Sequence, residues 1–426
     1  MTGIDFDGRD FFTDNALLAE PYEYLAAMRD KCPVLRENHH EVVMVTGYEE
    51  SLAVYNDADR FSSCISVTGP FPGFPVPLEG DDISELITEH RDQLPMNDQL
   101  PTMDPPTHTQ HRGLLTKMIT PIRLRENEEF MQGLCALQYD AALGPDGKTE
   151  FIGQFAGPFV LLVIADLLGV PEADHQEFVQ AMLHGAAGSI GSSKGETLKQ
   201  TPLEFLYGRF STYIEERRRE PRKDVLTGLA QATFPDGSLP EVIDVVRVAA
   251  NLFAAGQETT IRLLSSAVRI LAEDQDLQAR LRADRSLLRN FIEEVLRYES
   301  PVRGDFRLSK VPVDVGGVEL PAGTTLMLLN AAANRDPRQF ADPEVFDVDR
   351  ENARFHFAFG RGAHICPGAA LARTEARISL GQLLDRTTGI RIDEDFHGPA
   401  TDRKYHYIPT FILRGLTRLH IRYTLT

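Results

Sequence analysis

The chain has 426 residues, 42% hydrophobic and 25% charged, enough apolar material for a large buried core, which argues for a soluble globular protein and against a disordered one. A net charge of -19 opposes binding to nucleic acid and to anionic membrane surfaces. Four scattered cysteines, Cys32, Cys64, Cys135 and Cys366, have no C-x-x-C spacing, which argues against a disulfide framework or a zinc site and fits a reducing cytoplasm. The longest apolar stretch, 151–170, is broken by Gln154, Pro158 and Asp166, and the N-terminus opens on acidic residues, so neither a membrane anchor nor a signal peptide is expected. No linker, repeat or low-complexity tract divides the chain, and one domain over 1–426 is expected.

In chain order, 21–29 reads as an amphipathic helix and 41–46 as a strand that turns at Gly47 into a helix through Val54. Between Phe61 and Leu100 lies an irregular region, where the proline-rich run 69–75 forbids regular pairing and leaves Phe71 and Phe74 on a loop. Asp104 and the prolines after it mark a helix start. On that helix His108 and Arg112 share a face, where they can hold an anion or simply be solvated. Further helices are expected at 151–168, 175–183 and 203–219, with a Gly/Ala/Ser-rich connection at 185–195. The run Arg217-Arg218-Arg219 suits a helix C-terminus.

From 240 to 272 apolar residues recur at helical spacing, a length few globular helices reach. Midway, Ala255-Gly256-Gln257-Glu258-Thr259-Thr260 places an acid, two hydroxyls and a glycine in an otherwise buried element. Two readings stand: Thr259 bonds back to the Ala255 carbonyl while Glu258 makes a salt bridge, or the pair manages protons. Asn251, Ala255 and Thr259, at i, i+4 and i+8, project from about the same face. A helix at 291–298 carries Glu294 and Arg297 in pairing distance. The segment 302–307 should be extended with Arg303, Asp305 and Arg307 on one side, Arg303 either pairing with Asp305 or meeting an anionic substrate. Strands are expected at 311–320, 324–329 and 409–423.

The stretch 359–368, Phe-Gly-Arg-Gly-Ala-His-Ile-Cys-Pro-Gly, is built to present a sulfur. Its glycines permit positive φ and close backbone approach to a flat ligand. The helix-forming run from Ala369 places Cys366 at a helix N-terminus, where free N–H groups favour the thiolate. Arg361, Arg373 and Arg377 nearby form either a basic island or ordinary solvated helix charge.

This stretch resembles the heme-binding signature of the cytochrome P450 family. Three more motifs follow the family's order: His-x-x-x-Arg at 108–112, Ala-Gly-x-Glu-Thr at 255–259 and Glu-x-x-Arg at 294–297. The resemblance runs from about Pro21 to the end. It implies a mainly α fold with small β-sheets (α+β) and heme b between the long central helix and the cysteine loop. Cys366 would ligate iron, Phe359, Gly360 and Ala255 would face the heme, and His108, Arg112, Arg307 and His364 would neutralise its propionates. Thr259 would order bound oxygen and Glu258 would relay protons to it. Phe71, Phe74, Asn251, Ala254 and Val302 would wall the substrate pocket, although Phe71 and Phe74 can equally pack on each other, and 185–195 would belong to a lid.

Two features are particular to this chain. Pro343-Glu344-Val345-Phe346 carries a valine where the family has Arg or His, so the third arm of the Glu294–Arg297 network is lost or comes from Arg335 or Arg350. Pro367 has no N–H to donate to the sulfur, which implies an electron-rich thiolate and a lower reduction potential. The implied activity is a cytoplasmic monooxygenase that inserts one atom of O2 into a small apolar substrate of the terpenoid, steroid or aromatic class. Electrons from NAD(P)H would arrive through a ferredoxin and its NAD(P)H-dependent reductase, docking near the basic island. The alternatives are a peroxide-driven peroxygenase, a subgroup that replaces the acid–alcohol pair by Arg and Pro, and a non-catalytic heme sensor.

Overall fold

The expected long helix exists as one element, Val242–Glu273. Val245, Ala249 and Phe253 in its first half and Leu264, Ala267 and Leu271 in its second are buried, so both ends run through the core. Around it pack the helices Gly157–Leu167, Thr201–Arg219, Leu287–Glu299 and Ala369–Arg386. Phe253 meets Phe178 at 5.2 Å and Phe210 at 6.2 Å between ring centroids, which pins the helix to its neighbours through tilted and edge-on aromatic contacts. The computed structural model describes residues 8–116, 119–184 and 201–426, and the connection 185–195 lies outside the described residues.

The sheets are small. Strands β1 (Val34–Arg36), β2 (Val43–Val45), β3 (Phe61–Ser62), β4 (Lys148–Glu150), β5 (Asp305–Ser309), β6 (Val313–Val315), β7 (Val318–Leu320), β8 (Thr325–Leu328), β9 (Thr387–Ile392) and β10 (His420–Leu425) form three of them among the described residues. The largest has the order β1-β2-β8-β5-β3, with β2 and β8 parallel. Its register sets Asp305 opposite Leu328 and Arg307 opposite Leu326. The expected strand at 311–320 is a hairpin, β6 to β7, turning where Gly316 and Gly317 take φ of +60° and +85°. The third sheet has the order β4-β10-β9.

Other boundaries differ for identifiable reasons. The strand expected over 409–423 is a strand only from His420; before it the chain makes isolated bridges, Tyr407 with Leu416 and Val302 with Leu413. There the Arg414 side chain is drawn inward to Glu299 at 3.0 Å, which breaks an alternating pattern. The irregular region 61–100 contains a helix, Ser84–His90, whose start is held by Asp82 accepting from the Ser84 N–H. Pro121–Ala142 is a further unanticipated helix, capped by Thr120. Among the described residues no helix is long and apolar enough to cross a membrane.

Candidate active site

The cysteine loop is shaped by backbone demands. Gly360 and Gly362 take φ of +64° and +66°, and a Cβ on Gly362 would collide with the Tyr55 carbonyl. The loop closes on itself through the Cys366 N–H donating to the Phe359 carbonyl and the Gly360 N–H to the Phe357 carbonyl, both at 2.8 Å. The following helix begins at Ala369, and the amides of Gly368 and Ala369 hydrogen-bond the Cys366 sulfur. Burial pushes the Cys366 thiol up nonetheless, against those amides and the charges of Arg112 and Arg373. The amides and the two arginines act in the expected direction, toward the thiolate, and burial opposes them. The loop also supplies amide donors to the sulfur in spite of Pro367.

The candidate propionate ligands are gathered at one place. The His108 and His364 rings lie 3.9 Å apart, and the Nε2 of each is buried without a hydrogen-bond partner. Burial, reinforced by the Arg112 charge, pushes His108 down to about 4, and burial, then His108, Arg307 and Arg112, depress His364 further. Arg112 donates to the Ile365 carbonyl at 2.5 Å. Arg307 bonds Asp305 at 3.1 Å and the Phe306 carbonyl at 2.7 Å, beneath the Tyr55 ring at 5.5 Å. Two guanidiniums and two orphaned imidazole nitrogens make a cationic cluster that a dicarboxylate would satisfy. The residues present fit a heme.

On the central helix Ala255 is exposed although Leu252, Phe253 and Thr260 are buried, so the helix is left uncovered at this turn. Thr259 Oγ1 donates to the Ala255 carbonyl at 3.0 Å, and Glu258 pairs with Arg262 at 2.8 Å. Both side chains therefore make the local bonds that the sequence allowed. Next to them lies an acid not anticipated from the sequence. Glu375, on the cysteine-side helix and 2% exposed, is hydrogen-bonded with Thr260, and its Oε1 has no partner. Burial raises its pKa well above the ordinary value. Its face, shared with buried Leu371 and Ile378 at i−4 and i+3, was the available signal.

The five candidate pocket residues divide. Ala254 and Asn251 lie on the central helix, and the Asn251 Nδ2 donates to Gln99 Oε1 at 3.3 Å. Phe71 instead joins an aromatic cluster with Phe12, His40 and Phe411 at 5.5, 5.0 and 5.6 Å; Phe74 meets the His90 ring at 6.4 Å. Val302, half-buried, also packs against the cluster of the N-terminal segment. Arg303 pairs with neither Asp305 nor an open site: it is fully buried and donates to the Leu18 carbonyl.

The arginines near the loop are largely committed. Arg373 holds Glu293 at 2.6 and 2.8 Å and covers the Phe359 ring at 4.5 Å, while Arg377 pairs with Glu128 at 2.5 Å. Arg361 donates to the Phe355 and His356 carbonyls at 3.0 and 3.3 Å. The Glu294–Arg297 pair is wholly buried and doubly bonded, each contact 2.7 Å. Its third arm is Arg350, whose Nε lies 3.1 Å from Glu294. Val345 takes part through its carbonyl, which accepts from Arg297 at 3.2 Å and from Arg350 at 3.1 Å.

The cytochrome P450 family profile matches residues 158–388. The cytochrome P450 monooxygenase PikC of Streptomyces venezuelae is 32% identical over 421 residues, covering 98% of this chain and 92% of that protein. The 6-deoxyerythronolide B hydroxylase of Saccharopolyspora erythraea is 30% identical over 405 residues, 94% of this chain and 95% of that protein. Among solved structures, substrate-free CYP150A6 of Mycobacterium marinum superposes with a TM-score of 0.93 at 52% identity, over 99% of this chain and 100% of its own. CYP109E1 of Bacillus megaterium, in complex with corticosterone, gives 0.79 at 30% identity over 95% and 98% of the two chains. With its fold, its cysteine loop and these relatives agreeing, the chain belongs to the cytochrome P450 family and is a heme b monooxygenase, an oxidoreductase that incorporates oxygen from O2.

Proposed function

We propose that this monooxygenase oxidises a small apolar substrate of the terpenoid, steroid or aromatic class, with Cys366 as the iron ligand and electrons from NAD(P)H delivered by a ferredoxin and its reductase. The observation that carries the reading is the paired orphan nitrogens of His108 and His364 among Arg112 and Arg307, in a chain whose cysteine loop is preorganised by Gly360 and Gly362. A relative crystallised with corticosterone and another named for hydroxylating 6-deoxyerythronolide B support a lipophilic substrate.

When bound, heme supplies the reductive activation of O2 at its iron. His108, Arg112, Arg307 and His364 would hold its carboxylates, and Phe359, Gly360 and Ala255 would bound its faces. Glu258, whose side chain is 28% exposed, can take protons from solvent. Passing them on requires it to exchange its bond with Arg262, which keeps a second anchor on the Leu416 carbonyl at 2.8 Å. Thr259 then accepts at Oγ1 while its own proton turns away from the Ala255 carbonyl. The ferredoxin would meet the loop side, where Ile365 and Phe355 are exposed beside Arg354 and Arg361.

The test is turnover of ligands first chosen by their spin-state shift, with NADPH, ferredoxin, ferredoxin reductase and 18O2. A product carrying one labelled oxygen is expected, and Thr259→Ala should lower product per NADPH consumed by roughly tenfold or more. Product formed with hydrogen peroxide alone would favour the peroxygenase. No product from any ligand that shifts the spin state would favour a sensor.

A further inference from the structure

Asn251, Gln99 and Tyr207 form a polar seam that joins the central helix, the segment ahead of the His108 helix and the helix Thr201–Arg219. Gln99 is its buried centre, while Asn251 and Tyr207 are half-buried at the border of the main apolar core. Gln99 is 1% exposed, and its orientation is set by chemistry. Its Nε2 lies 2.9 Å from an Asp98 carboxylate oxygen, which only accepts, so that end is the NH2 and the other the carbonyl. The carbonyl accepts from Asn251 Nδ2 at 3.3 Å, and the second NH2 hydrogen goes to the Tyr207 hydroxyl oxygen. Asp98 is itself held by Arg247 Nε at 2.9 Å, so the order propagates from an ion pair on the central helix.

The consequence falls on Tyr207. Its oxygen accepts from Gln99, and the Arg247 charge stands nearby. With its oxygen accepting from Gln99, the hydroxyl keeps its own proton to give, and it meets no acceptor among the described residues. Asn251 Oδ1 is likewise left as an acceptor. Asn251 is on the same helix face as Ala255 and Thr259, two turns away, which sets the seam about 12 Å along the helix from Thr259.

We propose that Tyr207, positioned by Gln99, donates a hydrogen bond to an acceptor oxygen of the substrate, so that the enzyme selects lipophiles bearing a carbonyl, ether or hydroxyl oxygen at the end remote from the oxidised carbon. A hydroxyl gains more than an ether because it can also donate to Asn251 Oδ1. A purely hydrocarbon end leaves the oriented donor unmet, which is how such sites discriminate. The inference rests on the heme-thiolate reading above and adds where the substrate carries its polarity.

The holoenzyme is tested with 1-alkylimidazoles, whose ring nitrogen coordinates heme iron and shifts the Soret band whatever the natural substrate. 1-Nonylimidazole is compared with isomers carrying a ketone moved stepwise along the tail. One isomer should bind roughly three- to tenfold more tightly than the alkane, and Tyr207→Phe should bring that ratio to about one. Gln99→Leu should reduce the ratio too; if that variant does not fold, Tyr207→Phe carries the test, since it removes one oxygen and no packing. A ratio that is flat along the tail, or a preferred isomer that keeps its advantage in Tyr207→Phe, overturns the proposal. Absence of a Soret shift with every imidazole overturns the heme-thiolate reading instead.

Discussion

Glu375 shows how much one side chain's surroundings decide. On an exposed helix face it would ionise as an ordinary carboxyl; at 2% exposure, with Thr260 as its hydrogen-bond partner, burial disfavours the charged form and raises its pKa. Its folded pKa stands above the ordinary 4.5, so the folded chain keeps a proton that the unfolded chain has lost. This contribution to stability is full below that value and is lost as pH rises through the raised pKa. Glu375→Gln keeps the shape and cannot titrate. Thermal melts of the two holoenzymes from acid to alkaline pH should diverge, the wild type losing Tm on the alkaline side and the variant holding it; parallel profiles would show that the acid is not neutral when folded. Pro367 makes a second prediction at this scale. The sulfur already takes amide bonds from Gly368 and Ala369, and Pro367→Leu adds an N–H beside them. A redox titration should find the heme potential raised, because donors to a ligating sulfur withdraw charge; an unchanged or lowered potential would refute the link.

At the scale of elements, the Glu294–Arg297 helix turns a weak surface motif into a structural joint. Arg350 comes to Glu294 from the segment that follows Val345, bonding the Ala341 and Asp342 carbonyls as well, so the helix is tied to that whole turn. Arg350→Leu leaves Glu294 short of a partner in a dry site and should cost about 3 kcal/mol. Arg285→Leu, which breaks the exposed pair with Asp385, should cost about 1 kcal/mol or less. Chemical denaturation of both variants checks the contrast, and equal losses would mean that Arg350 is not an integral arm. The same comparison explains what could be read from the chain. The helix Val242–Glu273 and the loop around Cys366 were legible because their patterns are local: a long apolar period, and glycines at fixed offsets from a cysteine. The arm from Arg350 was recoverable only as one of two candidates, because Val345 contributes a carbonyl, which any residue has. Gln99 and Tyr207 left no trace, since 108 positions separate two polar groups whose only pattern is their meeting. Phe71 was legible as a loop ring but not as a partner of Phe12 and Phe411, for the same reason.

Over the whole molecule, the response to acid is set by the carboxylates whose folded pKa is lowered rather than by the excess of 63 acidic over 44 basic residues, whose mutual repulsion acid first relieves. Several carboxylates are held ionised inside the fold: Glu299 beside Arg269 and Arg414, Asp336 bonded by Arg338 and the Tyr48 amide, and Glu293 at the cysteine loop. For Glu293, burial alone would raise the pKa, but its bonds from Arg373 and His356 outweigh that and bring it to about 2. It ties the helix Leu287–Glu299 to the helix after Cys366, through Arg373, and to the turn leading into the cysteine loop, through His356. Its folded pKa lies below the ordinary 4.5, so its contribution is complete above that value and is lost as pH falls toward 2. Glu293→Gln should therefore lower stability by about 2–3 kcal/mol at neutral pH. That gap should close as acid protonates the wild-type carboxyl, and the Soret band should be lost at a higher pH in the variant than in the wild type. Melts of both proteins at fixed ionic strength, followed by Soret absorbance and far-UV circular dichroism, test this. A gap that stays constant down the acid limb would mean that Glu293 acts by shape alone, and the acid sensitivity would then belong to Glu299, at the end of the same helix, and to Asp336.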